Sequence, residues 1–131
     1  MPKILIVDDS PVIRGLIKRY LRDQSDLEAE IVESGAAALA SIRQGAPQAL
    51  VTDLNMPEMD GLTLLLTVRA LPGLERLPVA VFGGGDEEGR RAALEAGADE
   101  LLVKPFEASA LVETIRRLLS PQPAPTLRSP E

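Results

Sequence analysis

The sequence predicts an α/β domain built on an open parallel sheet with helices on both faces. Three observations carry that expectation. Short apolar runs rich in Ile, Leu and Val recur along the chain, segments with apolar residues at helical spacing separate them, and Gly or Pro closes most of those segments. Strands that alternate with helices call for parallel pairing through crossovers. At 131 residues the chain is one domain with room for a core.

Residues 3–8 are the first strand, a continuous apolar run through Ile4, Leu5, Ile6 and Val7. Ser10-Pro11 opens a helix, with Ser as N-cap and Pro at the first helical position. Val12, Ile13, Leu16, Ile17, Tyr20 and Leu21 give that helix its apolar stripe. A second strand near 28–33 is shorter in signal, because Glu28 and Glu30 alternate with apolar residues. A helix from Ala36 to Arg43 ends at Gly45-Ala46-Pro47. Residues 49–52 are the third strand, a long loop runs from Asp53 to Gly61, and a helix over 62–71 stops at Pro72-Gly73. Residues 78–82 make the fourth strand, with Gly83-Gly84-Gly85 as its exit loop. Asp86, Glu87 and Glu88 place negative charge in a helix's first turn, where the dipole favours it. That helix ends at Gly97, and residues 100–103 and 108–119 supply the fifth strand and a last amphipathic helix. From residue 121 onward four prolines and little to bury suggest a disordered tail or truncated linker, which divides the chain into a domain over 1–120 and a tail over 121–131.

Composition narrows the function. Apolar residues make up 45% but aromatic residues only 2%, so the core must be largely aliphatic. The net charge of −6, without a basic stripe, argues against nucleic acid as a direct partner. Cysteine and histidine are absent, which excludes disulfides, thiol chemistry, the usual zinc sites and a phosphohistidine on this chain. The opening residues do not read as a signal peptide, and no apolar run approaches the roughly 20 residues that span a bilayer. A cytoplasmic protein without membrane partners is the expectation.

Four charged residues each follow an apolar strand-like run: Asp8 and Asp9 after residues 4–7, Asp53 after 49–52, and Lys104 after 101–103. In a parallel α/β sheet the carboxyl ends of the strands share one edge, where ligand sites form. Three carboxylates and an ammonium would therefore converge there, a set suited to Mg²⁺ with a phosphoryl group. Singly, each has a plainer reading: Asp8 and Asp9 as helix caps, Asp53 as a turn residue, Lys104 as a solvated cation.

Taken with their neighbours, these residues form a known pattern. The motifs ILIVDDS (4–10), LVTDLNMPEMDG (50–61), GAD (97–99) and VKPF (103–106) resemble those of the receiver domain of two-component response regulators over residues 3–119. The resemblance implies a flavodoxin-like fold with strand order 2-1-3-4-5. It implies Asp53 as the phosphoacceptor and Mg²⁺ bound by Asp9 and Asp53 directly, by the Asn55 main-chain carbonyl, and by Asp8 mostly through water. Lys104 would balance the phosphoryl charge, with Pro105 in a cis bond behind it. Gly61 is expected to supply a backbone conformation closed to other residues.

Two positions depart from that family. A Ser or Thr whose hydroxyl binds the phosphoryl group usually follows the fourth strand; here it is Gly83. A Tyr or Phe usually stands three residues before the lysine; here it is Leu101. Amides of Gly84 and Gly85, beside Gly83, could form an anion-binding nest in place of the hydroxyl. The resemblance implies a receiver, not an enzyme in its own right, that takes phosphate on Asp53 from a histidine kinase or phosphotransfer protein and signals to a downstream protein target. A phosphorylation-independent interaction module is the alternative. A phosphohydrolase with an aspartyl-phosphate intermediate fits less well, because its second Asp would fall at Asn55.

Overall fold

The computed structural model describes residues 1–83 and 87–120. Its elements run β1 (Lys3–Val7), α1 (Pro11–Leu21), β2 (Glu28–Val32), α2 (Gly35–Gln44), β3 (Ala49–Asp53), α3 (Gly61–Arg69), β4 (Val79–Gly83), α4 (Glu87–Glu95), β5 (Glu100–Val103) and α5 (Ala108–Leu119). All five strands pair in parallel, in the order β2-β1-β3-β4-β5. The expected flavodoxin-like order 2-1-3-4-5 is therefore the observed one.

Strand alternation divides the core in two. Ile4, Ile6, Ala49, Val51, Ala80 and Phe82 face α1 and α5, where they meet Ile17, Leu21, Leu111, Ile115 and Leu118. Leu5, Val7, Leu50, Val79 and Val81 face the other way, against Ala38, Ile42, Leu64, Leu65, Val68 and Ala93 of α2, α3 and α4. Because β1, β3 and β4 are covered on both faces, they read as unbroken apolar runs rather than alternating ones. β2 is a half-exposed edge strand, so Glu28 and Glu30 are tolerated there.

Local capping follows the sequence closely. Ser10 Oγ accepts from Ile13 N–H with Pro11 at the first turn, Ser34 Oγ accepts from Ala37 N–H, and Asp60 Oδ1 accepts from Thr63 N–H. Those caps start α2 at Gly35 and α3 at Gly61, each a residue before the expected start, and α3 ends two residues before the expected 71. Two strands also run further than expected. β3 includes Asp53, paired with Phe82, and β4 includes Gly83, paired with Val103. The ladder is a backbone property, and a charged or absent side chain at the strand end does not interrupt it. Asp86, Gly84, Gly85 and the expected Pro-rich tail over 121–131 lie outside the described residues.

Gly61 is needed for a different reason than its backbone angles. Among the described residues, the glycines with positive φ are Gly73 and Gly97, at 84° and 106°. A Cβ on Gly61 would lie 2.1 Å from the Asp53 carbonyl oxygen and 2.8 Å from Leu54 Cα. The start of α3 is thus packed directly on the main chain at the end of β3, and only a residue without Cβ fits. Gly61 N–H also donates to the Leu54 carbonyl at 2.8 Å.

At the amino edge of the sheet, Arg69 closes α3 onto two loops. Its guanidinium donates to the carbonyls of Leu77 (2.6 Å) and Gly97 (2.8 Å) and pairs with Asp99 at 3.3 Å. Asp99 Oδ2 in turn accepts from Val79 N–H. Among the described residues, no helix is long and apolar enough to cross a membrane.

Candidate functional site

The carboxyl edge of the sheet gathers the four charged residues expected from the sequence. Asp8 follows β1, Asp53 ends β3 and Lys104 follows β5. Asp8, Asp9 and Asp53 each offer a carboxylate oxygen within 4.8 Å of the others. Asp8 is fully buried, Asp53 is 4% exposed, and Asp9 is exposed. The pocket thus has two walled carboxylates and one facing solvent.

Each buried carboxylate has partners. Asp8 Oδ1 accepts from Ser10 N–H at 2.8 Å and Oδ2 meets Lys104 Nζ at 2.9 Å. Asp53 Oδ2 lies 3.3 Å from Lys104 Nζ, and Oδ1 accepts a long bond from Asn55 N–H at 3.4 Å. One ammonium therefore serves two carboxylates while Asp9 adds a third negative charge. Burial, and next the charge of Asp8, push the Asp53 carboxyl above its ordinary range, while Lys104 and the Asn55 amide pull the other way.

The backbone around Asp53 is held on both sides. Leu54 N–H donates to the Phe82 carbonyl at 2.9 Å, and Lys104 N–H donates to the Gly83 carbonyl at 2.7 Å. The Lys104-Pro105 peptide bond is cis, as the resemblance implied. Gly83 stands at the strand end beside the site with Leu54 as its near neighbour. Leu101 is half-buried and packs with the core cluster on the α2–α4 face.

Three contacts were not legible in the sequence. Arg14 of α1 donates to the Asp8 carbonyl at 2.9 Å and fixes the chain where the acidic pair begins. The Lys104 ammonium sits 4.9 Å above the centroid of the Phe82 ring, a cation–π contact that adds to its two ion pairs. Arg69 joins α3 to the GAD segment from the far edge. Arg14 follows Ser10 by one helical turn, a spacing that signals position on α1 but not what the side chain reaches.

The acidic cluster fits a small divalent cation. Octahedral Mg²⁺ with bonds of about 2.0–2.1 Å sets its ligand oxygens roughly 3–4 Å apart. Oxygens already within 4.8 Å need only a small closing movement. All-oxygen donors without nitrogen or sulfur also match a hard ion.

Comparison with known proteins agrees with the geometry. The sequence profile described as "Response regulator receiver domain" matches residues 4–116. The "Transcriptional regulatory protein PrrA" of Mycobacterium tuberculosis is 39% identical over 119 residues, which cover 90% of this chain and 50% of that protein. The chain thus spans about half the length of the curated relatives it matches. The chemotaxis protein CheY4 of Vibrio cholerae superimposes with a TM-score of 0.83 at 32% identity, over 91% of this chain and 99% of that one. The receiver domain of a sensor histidine kinase from Pseudomonas aeruginosa PAO1, solved with magnesium coordinated in its active site cleft, superimposes with a TM-score of 0.81. That pair is 27% identical over 90% of this chain and 97% of the other. With fold and sequence profile in agreement over nearly all of the described residues, the chain belongs to the response regulator receiver domain family of two-component signalling.

Proposed function

We propose that this domain accepts a phosphoryl group on Asp53 from a phosphohistidine of a histidine kinase or phosphotransfer protein, and passes the signal on by binding a downstream protein. The observation that carries the reading is the single ammonium shared by two buried carboxylates, with a third carboxylate at the mouth of the same pocket. Asp8, Asp9 and Asp53, with the Asn55 main-chain carbonyl, are the residues to hold Mg²⁺. When bound, the ion supplies the positive charge that lets a carboxylate approach an anionic phosphoryl donor.

The chain's own groups do the rest. A carboxylate oxygen of Asp53 forms the new O–P bond as the donor's P–N bond breaks, and the electron pair leaves with the imidazole nitrogen. Lys104, 3.3 Å from Asp53 Oδ2, neutralises charge on the transferred group. Asp8 holds Lys104 in reach, and Gly61 and Leu54 keep the end of β3 in place beneath it. Gly83, Gly84 and Lys104 are the phosphate-binding set, with amides standing in for a hydroxyl at Gly83. The domain assists its own phosphorylation and needs no catalytic histidine.

Incubation with acetyl phosphate and Mg²⁺, followed by intact mass measurement, tests the reading. A gain of one phosphoryl group that requires Mg²⁺ and disappears in Asp53→Ala is the expected result. A chain that stays unmodified at high donor and Mg²⁺ would instead support the phosphorylation-independent module, the reading that the missing hydroxyl at Gly83 favours.

A further inference from the structure

The chain has one tyrosine, two phenylalanines and no tryptophan, and its three rings meet in a single column. Phe82 and Phe106 lie with centroids 5.5 Å apart and ring planes at 64°; Phe106 and Tyr20 follow at 6.2 Å and 67°. Both are edge-to-face contacts, the geometry that aromatic quadrupoles favour. The rings come from β4, the segment between β5 and α5, and α1, so no local pattern brings them together.

Each end of the column is attached to something. At the inner end the Lys104 ammonium caps the Phe82 ring while paired with Asp8 and Asp53. At the outer end Tyr20 Oη donates to the Phe106 carbonyl at 3.3 Å. Tyr20, Phe106 and Lys104 also wall a surface cavity of about 270 Å³ with Ile13, Leu16 and Pro105. One cation thus touches the acceptor carboxylate, the aromatic column and the cavity.

We propose that this column carries the state of Asp53 to the face of α1. The inference rests on Asp53 being the acceptor. A phosphoryl group on Asp53 adds negative charge and reach, and a charge-assisted bond to its oxygens outweighs a cation–π contact. Lys104 then leaves its place over Phe82. Phe82 is fully buried and Phe106 nearly so, and close-packed interiors answer displacement by changing packing arrangement rather than by deforming smoothly. The rings re-pack in step, Tyr20 moves at the surface, and the cavity changes shape. On the other face of the sheet, Gly83 has no side chain to move and Leu101 packs among aliphatic neighbours. The phosphoryl group gains leverage only where its contacts differ between two states, and Lys104 is where they differ.

Tyr20 is the chain's only tyrosine and there is no tryptophan, so intrinsic fluorescence reports the outer end of the column alone. The full chain is treated with acetyl phosphate and Mg²⁺, with intact mass and Tyr20 emission read on the same samples and Mg²⁺ without donor as baseline. Emission should change in proportion to the phosphorylated fraction. In Phe106→Leu the mass gain should persist and the emission change should be lost, while Leu101→Ala should keep both. In the wild type, ring-proton resonances of all three aromatics should shift together on phosphorylation, which decides the matter if Phe106→Leu does not fold. Unchanged Tyr20 emission in phosphorylated protein, a response that survives in Phe106→Leu, or a shift confined to Phe82 would overturn the column and leave Asp53 as acceptor. Absence of any mass gain would remove the acceptor and the column together.

Discussion

The ammonium of Lys104 lies nearer to Asp8, at 2.9 Å, than to Asp53, at 3.3 Å. The lysine therefore has a structural duty besides any chemistry, because Asp8 is fully buried and needs a compensating charge. Breaking a buried pair from one side costs about 3–5 kcal/mol, and the part-exposure of Lys104 places its loss in the lower part of that range. Lys104→Met should lower stability in urea titrations with EDTA present. Millimolar Mg²⁺ should restore part of the loss, since it neutralises the same carboxylates. A loss that is identical with and without Mg²⁺ would show that the cluster does not bind the ion.

The pH dependence of Asp53 has a definite sign. Its carboxyl is raised above the ordinary range by burial and by Asp8. Between the ordinary value and the raised one, the folded chain holds more protons than the unfolded chain, so stability falls as pH rises through that window. In EDTA, Asp53→Asn should be more stable than wild type near neutral pH, and its advantage should shrink as pH falls through the raised value. Asp26, held low by Arg116, and Glu30, held low by Ser41 and then Lys3, act in the opposite sense. Their stabilisation is present at neutral pH and is lost on acidification in both proteins, so the difference between wild type and variant isolates Asp53. Melting curves across pH supply the check; an advantage that grows on acidification would contradict it.

The sheet and the acidic cluster were legible because both depend on period and position. Apolar runs give buried strands, and a charge just after such a run falls on the carboxyl edge, which is enough to group Asp8, Asp9, Asp53 and Lys104 from the sequence. What escaped was set by packing between distant elements. Phe82 appears in the sequence only as part of a strand and Phe106 only as part of the VKPF motif, and only the crossing of β4 with α1 and the β5–α5 segment makes them a column. Arg69 falls within the expected helix over 62–71 without any sign of its partners, yet its guanidinium joins three segments. Gly61 looked like a conformational requirement and proved to be a steric one, because the approach of α3 to the Asp53 main chain is a tertiary distance.

Gly61→Ala should be among the most damaging single-atom additions to this chain. The new Cβ would meet the Asp53 carbonyl oxygen at 2.1 Å, so the backbone of Asp53 or of α3 has to move. Overpacking against side chains typically costs about 1–3 kcal/mol, and a main-chain obstacle gives less readily. Stability should fall by at least that much, and the phosphorylation rate should fall as well because the acceptor itself is displaced. Chemical denaturation and donor kinetics would show it. Stability close to wild type would mean that the helix start is looser than the packing indicates.

Arg69→Ala should loosen the amino edge without altering the site. Three acceptors lose a charged donor, two of them main-chain carbonyls, and bonds to charged groups contribute about 1.5–3 kcal/mol when shielded. Arg69 is part-exposed, so a total loss of about 1–2 kcal/mol is the expectation. Arg69→Lys should recover little, because one ammonium cannot span the fork that reaches Leu77 and Gly97 together. Acetyl phosphate should modify both variants at the wild-type rate. A changed rate would mean that the two edges of the sheet are coupled.

Gly83→Thr tests whether the missing hydroxyl limits the chemistry. A Cβ at this position would meet Leu54 Cβ at 3.4 Å and Cδ2 at 3.8 Å, ordinary contacts that need no rearrangement. Gly83 is not among the glycines with positive φ, and it lies within β4, where β-branched residues fit and glycine costs about 0.5–1 kcal/mol. The variant should therefore fold, with stability equal to wild type or higher by about that amount. Its hydroxyl would stand at the strand end beside Asp53 and Lys104, able to donate to a developing phosphoryl anion. Removing one such donor from a preorganised site costs about 10²–10³ in rate, and adding one beside an existing ammonium should return less, on the order of tenfold. The comparison is the rate of mass gain with acetyl phosphate in wild type and variant at equal Mg²⁺. An unchanged or slower rate in a stably folded Gly83→Thr would show that Lys104 and the backbone amides already saturate the need, and that glycine at this position is no handicap to the transfer.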